Sequence, residues 1–321
     1  MNDNLEVNLI EVQNLKKYYP IKKGILKRTV DHVKAVDGVT FSIKKGETLG
    51  LVGESGCGKS TLGRTLINLY EKTDGEVFYN GINIHDADKK TMNDLRKEMQ
   101  IIFQDPYSSL NPRLTVEQTI GEAVKFHNLK KSNELYTHIR ETAARCGVDP
   151  NHLTRYPHEF SGGQRQRIGI ARALALNPKF IVCDESVSAL DVSVQAKVIN
   201  LLKELQTEEE LTYLFITHDL SVVKHISDRI AVMYFGRIVE LADTNKLFES
   251  PIHFYTKKLL SAIPKSHPRK NTKNYENEKL PEWVKIPKGY KIDDRDPKKR
   301  DTESVMIEIR EGHFVACYKV D

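Results

Sequence analysis

The stretch Gly53-Glu54-Ser55-Gly56-Cys57-Gly58-Lys59-Ser60-Thr61 decides the fold that the sequence predicts. It matches the pattern GxxxxGK[ST] in full, and the apolar run ETLGLVG at residues 47–53 leads into it as a predicted buried strand. Beyond it, Leu62, Leu66 and Leu69 recur at helical spacing and predict an amphipathic helix that starts close to Lys59. The order of strand, glycine-rich turn and helix is the one that a phosphate-binding loop requires.

The residue types in this loop suit a nucleoside triphosphate. The glycines allow the backbone to turn its N–H groups toward the phosphates, and the helix N-terminus adds a favourable dipole. We expect Lys59 to reach the β and γ phosphates and the Ser60 hydroxyl to ligate magnesium. The loop alone indicates only a nucleoside triphosphatase.

A second glycine-containing turn lies at Ser161-Gly162-Gly163-Gln164, before a helix predicted over residues 164–176. Ser161 is a favourable N-cap and the two glycines expose backbone N–H groups, so the turn is a second candidate anion site; the alternative is an ordinary capped surface helix. Here the chain resembles the ATP-binding-cassette (ABC) family, whose signature is a Ser-Gly-Gly-Gln turn. The resemblance implies that the signature of one subunit closes over the phosphate loop of another, with ATP between them.

Two carboxylates end the predicted strand at residues 180–183, and the segment resembles the Walker B strand of the family. The resemblance implies that Asp184 holds magnesium through water and that Glu185 orients or deprotonates the attacking water. Taken alone, the pair could instead cap the following helix.

Three further segments follow the family pattern. Asp191 ends SALD, which resembles the D-loop, and is expected near the partner's active site. His218 follows a predicted strand over residues 211–217 and resembles the switch histidine that contacts the γ-phosphate. Gln104 lies in a segment that resembles the Q-loop, whose glutamine senses magnesium and water. The implied magnesium ligands are therefore Ser60, Gln104 and Asp184.

The adenine base needs a surface on which to stack. Tyr19 ends the first predicted strand at the place where the family has its stacking aromatic, and Tyr18 is the alternative. Stacking has little base selectivity, so the choice of ATP rests on the resemblance.

Several segments narrow the resemblance to the oligopeptide, dipeptide and nickel importer branch: residues 104–112, 191–195, 250–264 and 312–317. The implied function is an ATP-hydrolysing subunit that powers import of oligopeptides or dipeptides. A nickel or other small-solute importer is the alternative within the branch. A soluble ABC ATPase of DNA maintenance or translation is disfavoured, because the chain has one cassette and a compact insertion. Ser186 stands where the branch has proline.

The resemblance implies an α/β fold: a P-loop NTPase cassette with a mainly parallel core sheet, an N-terminal antiparallel β subdomain, an inserted helical subdomain and a small C-terminal extension. We expect the ATPase domain over residues 5–250, with the helical insertion at about 105–160. The extension over residues 251–321 is expected to contain a linker or loosely ordered stretch at 264–301 and to end in a β-hairpin of residues 304–310 and 313–320. The basic residues Lys22, Lys23, Lys27 and Arg28 are expected in a loop.

Composition excludes several classes of protein. The 321 residues carry a net charge of +5, with +6 at the two ends and −1 between them, so no nucleic-acid partner is predicted. No apolar run approaches the roughly 18 residues of a membrane span, and no secretory signal is recognisable at the N-terminus. Only Cys317 lies where some relatives carry a cysteine cluster, so no iron–sulfur cluster is predicted.

The expected location is the cytoplasmic face of the membrane, and the expected ligands are ATP and Mg²⁺. The implied partners are a second, non-identical ABC ATPase subunit, two transmembrane permease subunits and an extracytoplasmic solute-binding protein.

Overall fold

The structure is a computed structural model that describes residues 7–24, 27–263, 280–297 and 303–320. These residues form two compact units. The helical unit comprises Val7, Lys44–Glu47 and Asp86–Ile216, and the phosphate-loop unit comprises Asn8–Ile43, Thr48–His85 and the described residues from Thr217 onward.

The strands are β1 (Asn8–Lys23), β2 (Arg28–Lys44), β3 (Thr48–Val52), β4 (Asp74–Tyr79), β5 (Ile82–Asn83), β6 (Met99–Ile102), β7 (Phe180–Asp184), β8 (Thr212–Thr217), β9 (Arg229–Tyr234), β10 (Arg237–Asp243), β11 (Tyr290–Ile292), β12 (Val305–Arg310) and β13 (His313–Lys319). The α-helices are α1 (Lys59–Leu66), α2 (Lys89–Glu98), α3 (Val116–Phe126), α4 (Ser132–Arg145), α5 (Gly162–Leu174), α6 (Val192–Glu209), α7 (Leu220–Ile226), α8 (Thr244–Glu249) and α9 (Phe254–Ser261).

Within the phosphate-loop unit, the N-terminal strands form an antiparallel sheet of order β2-β1-β4-β5. Ile10 pairs with Tyr79 and Val12 with Val77, and all four side chains are buried. The predicted basic loop is wrong in extent, because β1 continues to Lys23 and β2 begins at Arg28. Backbone pairing extends these strands through residues whose side chains are exposed, and apolar alternation does not reveal such a stretch.

The phosphate loop follows a fully buried parallel strand. Every residue of β3 is buried, and β3 pairs in parallel with β9 from Leu49 opposite Arg229 to Val52 opposite Val232. An antiparallel hairpin joins β9 to β10 through Phe235 and Gly236. Both turn residues have positive φ, 45° and 80°, as a two-residue hairpin turn of this hand requires.

The helical unit has its own parallel strands. β6 pairs with β7 and β7 with β8, and β7 and β8 are buried throughout. The predicted helical region at 115–147 consists of α3 and α4, and α3 packs against both α4 and α5. The parallel strands end near the residues selected from the sequence as catalytic, which is where ligands bind in open α/β sheets.

The C-terminal part contains more regular structure than the sequence indicated. β12 and β13 form the predicted hairpin, with Gly312 at a φ of 69° in its turn. β11 lies within the predicted linker, while residues 264–279 and 298–301 of that linker lie outside the described residues. The helices α8 and α9 were not predicted; both are shorter than three turns, too short for their periodicity to be read.

Candidate nucleotide site

The backbone of the phosphate loop has a shape that only glycine permits at two positions. Gly58 has a φ of 111°, and a Cβ built there would lie 2.0 Å from the carbonyl oxygen of Ala35. A Cβ on Gly53 would lie 2.2 Å from the carbonyl oxygen of Met233. Backbone from two other strands therefore supports the loop directly, and a side chain at either position would force it away.

Lys59 occupies the inside of this loop. Its side chain is buried with the residue 3% exposed, and its Nζ donates to the carbonyl oxygens of Gly53 at 2.8 Å and Glu54 at 3.0 Å. Helix α1 begins at Lys59, so Ser60 and Thr61 lie in its first turn, where backbone N–H groups lack helical acceptors. This arrangement provides one buried cation and several amide donors, which together suit an anion.

Cys57 is the one loop residue with a thiol. The residue is half-buried, and burial raises the pKa of the thiol, although nearby Lys59 acts in the opposite direction. We therefore treat Cys57 as a neutral part of the loop.

The two candidate adenine-stacking residues have different surroundings. The Tyr18 hydroxyl donates to Asp37, which also accepts two hydrogen bonds from Arg237, and burial raises the pKa of Tyr18. Tyr19 is 37% exposed, and Lys17 Nζ lies 5.0 Å from the centre of its ring. A ring that is to stack on a base must be accessible, so the surroundings favour Tyr19.

His218 lies in the same unit as the phosphate loop. It is exposed, directly after β8 and directly before Asp219, which caps α7 by accepting from the Ser221 N–H at 2.8 Å. The predicted strand end is therefore confirmed, and the histidine stands at the junction between a buried strand and a capped helix.

In the helical unit, the structure brings Gln104 and Glu185 together. The Gln104 side-chain amide donates to Glu185 Oε2 at 2.8 Å. Glu185 has a φ of 49°, and its N–H donates to the carbonyl oxygen of Ile216 at 3.0 Å. A glutamate in this left-handed conformation is uncommon and is often found at functional sites, where the surrounding structure holds the strain.

Asp184 ends β7 and is 1% exposed. Neither Asp184 nor Glu185 is the N-cap of the next helix, α6, because Asp191 takes that position. Ser186, in the position where the branch has proline, is 2% exposed beside the Cys183 thiol.

The signature turn is held by its own side chains. Ser161 caps α5 in a capping box, accepting from the Gln164 N–H while the Gln164 side chain accepts from the Ser161 N–H. Gly162 is exposed, and a Cβ on Gly163 would lie 2.4 Å from Val194 in the first turn of α6. The turn therefore presents a helix N-terminus at the surface of its unit.

Asp191 caps the first turn of α6, the turn that packs against Gly163. It accepts from the Val194 N–H at 3.0 Å and the Ser193 hydroxyl at 2.8 Å. Both hydrogen bonds lower the pKa of Asp191; the bond from the Val194 N–H has the larger effect and the bond from the Ser193 hydroxyl the next largest.

The structure also shows a contact that sequence analysis missed. Tyr255 of α9 accepts a hydrogen bond from the Glu54 N–H in the phosphate loop at 2.9 Å. The one signal in the sequence is the segment SPIHFYT around Tyr255, which indicates the importer branch but not a contact with the phosphate loop.

Comparison with known proteins gives a consistent result. Residues 36–188 match the family described as ABC transporter, and residues 239–302 match the family described as oligopeptide/dipeptide transporter, C-terminal region. The chain is 50% identical over 318 residues to the oligopeptide transport ATP-binding protein AppF of Bacillus subtilis, covering 97% of each chain. It is 46% identical to the oligopeptide transport ATP-binding protein OppF of Salmonella typhimurium, covering 98% of this chain and 96% of that one.

Solved structures of ABC cassettes share the fold. The cbiO1 protein of Clostridium perfringens, part of the ABC transporter complex cbiONQ, superposes with a TM-score of 0.65 at 28% identity over 75% of this chain and 91% of that one. The cassette MJ0796, as a post-hydrolysis dimer bound to ADP and Pi, gives 0.64 at 30% identity over 73% of this chain and 98% of that one. The predicted cassette fold is confirmed.

Within the described ranges, no helix combines the length and apolar character needed to span a membrane. The chain belongs to the ABC transporter family of ATPases, in the branch that carries the oligopeptide/dipeptide transporter C-terminal region.

Proposed function

We propose that this chain is the ATP-hydrolysing subunit that powers ABC-type import of oligopeptides or dipeptides across the cytoplasmic membrane. The observation that carries ATP binding is the phosphate loop, a glycine-shaped backbone wrapped around the buried Lys59 ammonium. The cargo is inferred from relatives that bear the name oligopeptide transport ATP-binding protein. Within the described residues, no group of three or more His, Cys, Asp or Glu could hold a metal ion, and the names of these relatives favour peptides over nickel.

In the proposed reaction, Lys59 and the loop amides hold the triphosphate. Glu185 directs water in line with the γ-phosphorus and takes its proton, and His218 contacts the γ-phosphate. Tyr19 stacks on adenine. The hydrogen bond from Gln104 supports this role for Glu185, because a donor at one carboxylate oxygen fixes the orientation of the carboxylate group.

The donor chemistry of the proposed metal ligands suits Mg²⁺. Ser60, Gln104 and Asp184 offer hydroxyl, amide and carboxylate oxygens, the hard donors that magnesium prefers. When bound, Mg²⁺ neutralises charge that develops on the phosphate oxygens.

The signature turn supports a dimer. Ser161, Gly162 and Gln164 are exposed, although they form a helix N-terminus suited to an anion. We therefore propose that the turn binds ATP held by a second ABC ATPase subunit, a related but non-identical chain, and that Asp191 lies near that partner's site. Native mass spectrometry of the assembled transporter tests this, and two identical copies would refute the non-identical pairing.

The remaining proposed partners are two transmembrane permease subunits and an extracytoplasmic solute-binding protein, which place the chain at the cytoplasmic face of the membrane. Cargo is then tested by asking which solute-loaded binding protein stimulates ATP hydrolysis by the purified complex. Stimulation by nickel-loaded and not by peptide-loaded binding protein would overturn the peptide assignment.

The central test is Glu185→Gln. The amide keeps the shape of the side chain but cannot take a proton, so turnover should fall by about 100-fold or more while ATP still binds. ATP hydrolysis and ATP binding are measured on the same preparation. Glu208→Gln, which removes a surface carboxylate 3.6 Å from Arg145 in the same unit, is the control and should hydrolyse ATP normally. Undiminished turnover in Glu185→Gln would show that Glu185 is not the residue that takes the proton from water.

A further inference from the structure

One peptide group of the phosphate loop, between Gly53 and Glu54, is hydrogen-bonded at both ends. Its carbonyl oxygen accepts from Lys59 Nζ at 2.8 Å, and its N–H donates to the Tyr255 hydroxyl at 2.9 Å. The two bonds fix the plane of this peptide, and a cation at the carbonyl end polarises the N–H so that it becomes a stronger donor.

The two bonds respond differently to nucleotide. In the proposed function Lys59 turns its ammonium toward the phosphates, so the bond to Gly53 weakens when ATP binds. The bond to Tyr255 does not involve the phosphates and can persist. Tyr255 is then the contact that keeps the peptide in its orientation before and after ATP enters.

Tyr255 is held firmly enough for this task. It is fully buried, and its ring centre lies 4.0 Å from that of Tyr234 on β9. It belongs to a buried cluster that includes Val52, Val232 and Leu260. Its own N–H donates to His253 Nδ1 at 3.2 Å, so the first turn of α9 is capped as well. Burial raises the pKa of Tyr255 above its ordinary value, which already lies well above physiological pH, so its hydroxyl is neutral.

A second contact links α9 to the same loop residue, but it is weak. Lys258 Nζ lies 3.7 Å from Glu54 Oε1, and the two side chains are 65% and 54% exposed. Exposed ion pairs of this kind contribute little, so the buried hydroxyl is the contact that matters.

We propose that Tyr255 is a positioning residue for the phosphate loop, through which the C-terminal region of this chain sets the affinity for ATP. The inference rests on the proposed function, since it requires that the loop binds ATP. Tyr255 touches no reacting atom, so its loss should weaken binding and leave the chemical step largely intact.

The test is Tyr255→Phe, which removes the hydroxyl and keeps the ring. The full-length chain is titrated with ATP by calorimetry, and KM and kcat are measured in the assembled transporter. Loss of one neutral hydrogen bond should raise the Kd and KM for ATP by about three- to tenfold, with kcat changed less than about twofold.

The matched control is Tyr213→Phe. Tyr213 is also fully buried, and its hydroxyl donates to the Leu202 carbonyl oxygen at 3.1 Å in the helical unit. Both variants lose one buried hydroxyl and should lower Tm similarly, so any general effect of destabilisation appears in both. Only Tyr255→Phe should raise the Kd for ATP.

The outcomes separate this inference from the proposed function. If the wild-type chain does not bind ATP, the proposed function fails. If the wild type binds ATP and Tyr255→Phe binds it with a Kd within twofold, or if Tyr213→Phe weakens binding equally, the positioning role is wrong. Lys258→Gln should leave the Kd within about twofold, and a larger effect than that of Tyr255→Phe would transfer the role to the ion pair.

Discussion

The phosphate loop and the signature turn are both glycine-containing helix N-termini, yet they are built in different ways. The phosphate loop is supported by distant segments: Ala35, Met233 and Tyr255 all contact it. The signature turn is held mainly by a capping box between Ser161 and Gln164, three residues apart in the chain, with Val194 of α6 packed against Gly163 on one side.

The difference concerns where binding free energy comes from. A loop supported on several sides, with a buried lysine inside it, is preorganised and loses little entropy when an anion enters. The signature turn is packed on one side, where Gly163 lies against Val194, but it presents its N–H groups at an exposed face and carries no cation within its own four residues. We therefore expect the first to bind ATP unaided and the second to contribute only in the assembled dimer.

If the phosphate loop depends on its support by distant segments, the largest loss of ATP affinity is expected from Gly58→Ala. Its Cβ would overlap the Ala35 carbonyl oxygen, and its φ of 111° is unfavourable for alanine, so the loop cannot keep its shape. ATP affinity, measured by calorimetry, should fall by about 100-fold or more. Backbone strain at one residue would by itself lower the affinity by roughly tenfold, so the rest of the loss comes from the overlap with Ala35. Gly56→Ala is the control: its φ is 80° but no atom lies within 4 Å of the new Cβ, so it should lose much less. Equal losses in the two variants would mean that the close approach to Ala35 is unimportant.

An intermediate effect is expected from Ser161→Ala. It removes the N-cap of α5, which costs about 1 kcal/mol, and leaves the phosphate loop unchanged. ATP binding by the isolated chain should stay within twofold, while ATP hydrolysis by the assembled transporter should fall several-fold. The control is Thr115→Ala, which opens an equivalent capping box on α3. Should Thr115→Ala reduce hydrolysis equally, the effect would come from helix destabilisation and not from the signature.

The smallest effect concerns acid stability near the signature turn. The folded pKa of Asp191 lies below its ordinary value, so its stabilising contribution is present above about pH 4 and is lost as the pH falls through the folded pKa. Asp191→Asn can still cap α6 but does not titrate, so the Tm of this variant should depend less on pH between pH 5 and pH 3 than that of the wild type.

Asp88→Asn provides the comparison for that measurement, because Asp88 caps α2 by the same kind of bond and its pKa is lowered likewise. The two variants should behave alike in acid. A wild-type acid dependence that neither variant reduces would show that the caps do not contribute to it.

The sequence predicted some parts of the fold well because those parts have strong local signals. The buried strand β3, the start of α1, the capped start of α5 and the hairpin of β12 and β13 all follow from periodicity, glycine or capping residues. The end of α1 was less clear: Leu69 continues the apolar spacing, but the helix stops at Leu66 and Asn68 takes a φ of 54°. Leu69 then donates its N–H to the Arg64 carbonyl oxygen, a helix ending that apolar spacing does not predict.

The sequence by itself determined the family, the two glycine turns and which side chains are chemically able to act at them. Those features depend on residue type and on spacing of a few positions, which the chain order contains directly. Only the tertiary structure decided that Gly58 lies against Ala35, that Gln104 bonds Glu185 and that Tyr255 holds the Glu54 N–H. These contacts join residues 23, 81 and 201 positions apart, and only the packing of the folded chain brings such residues together.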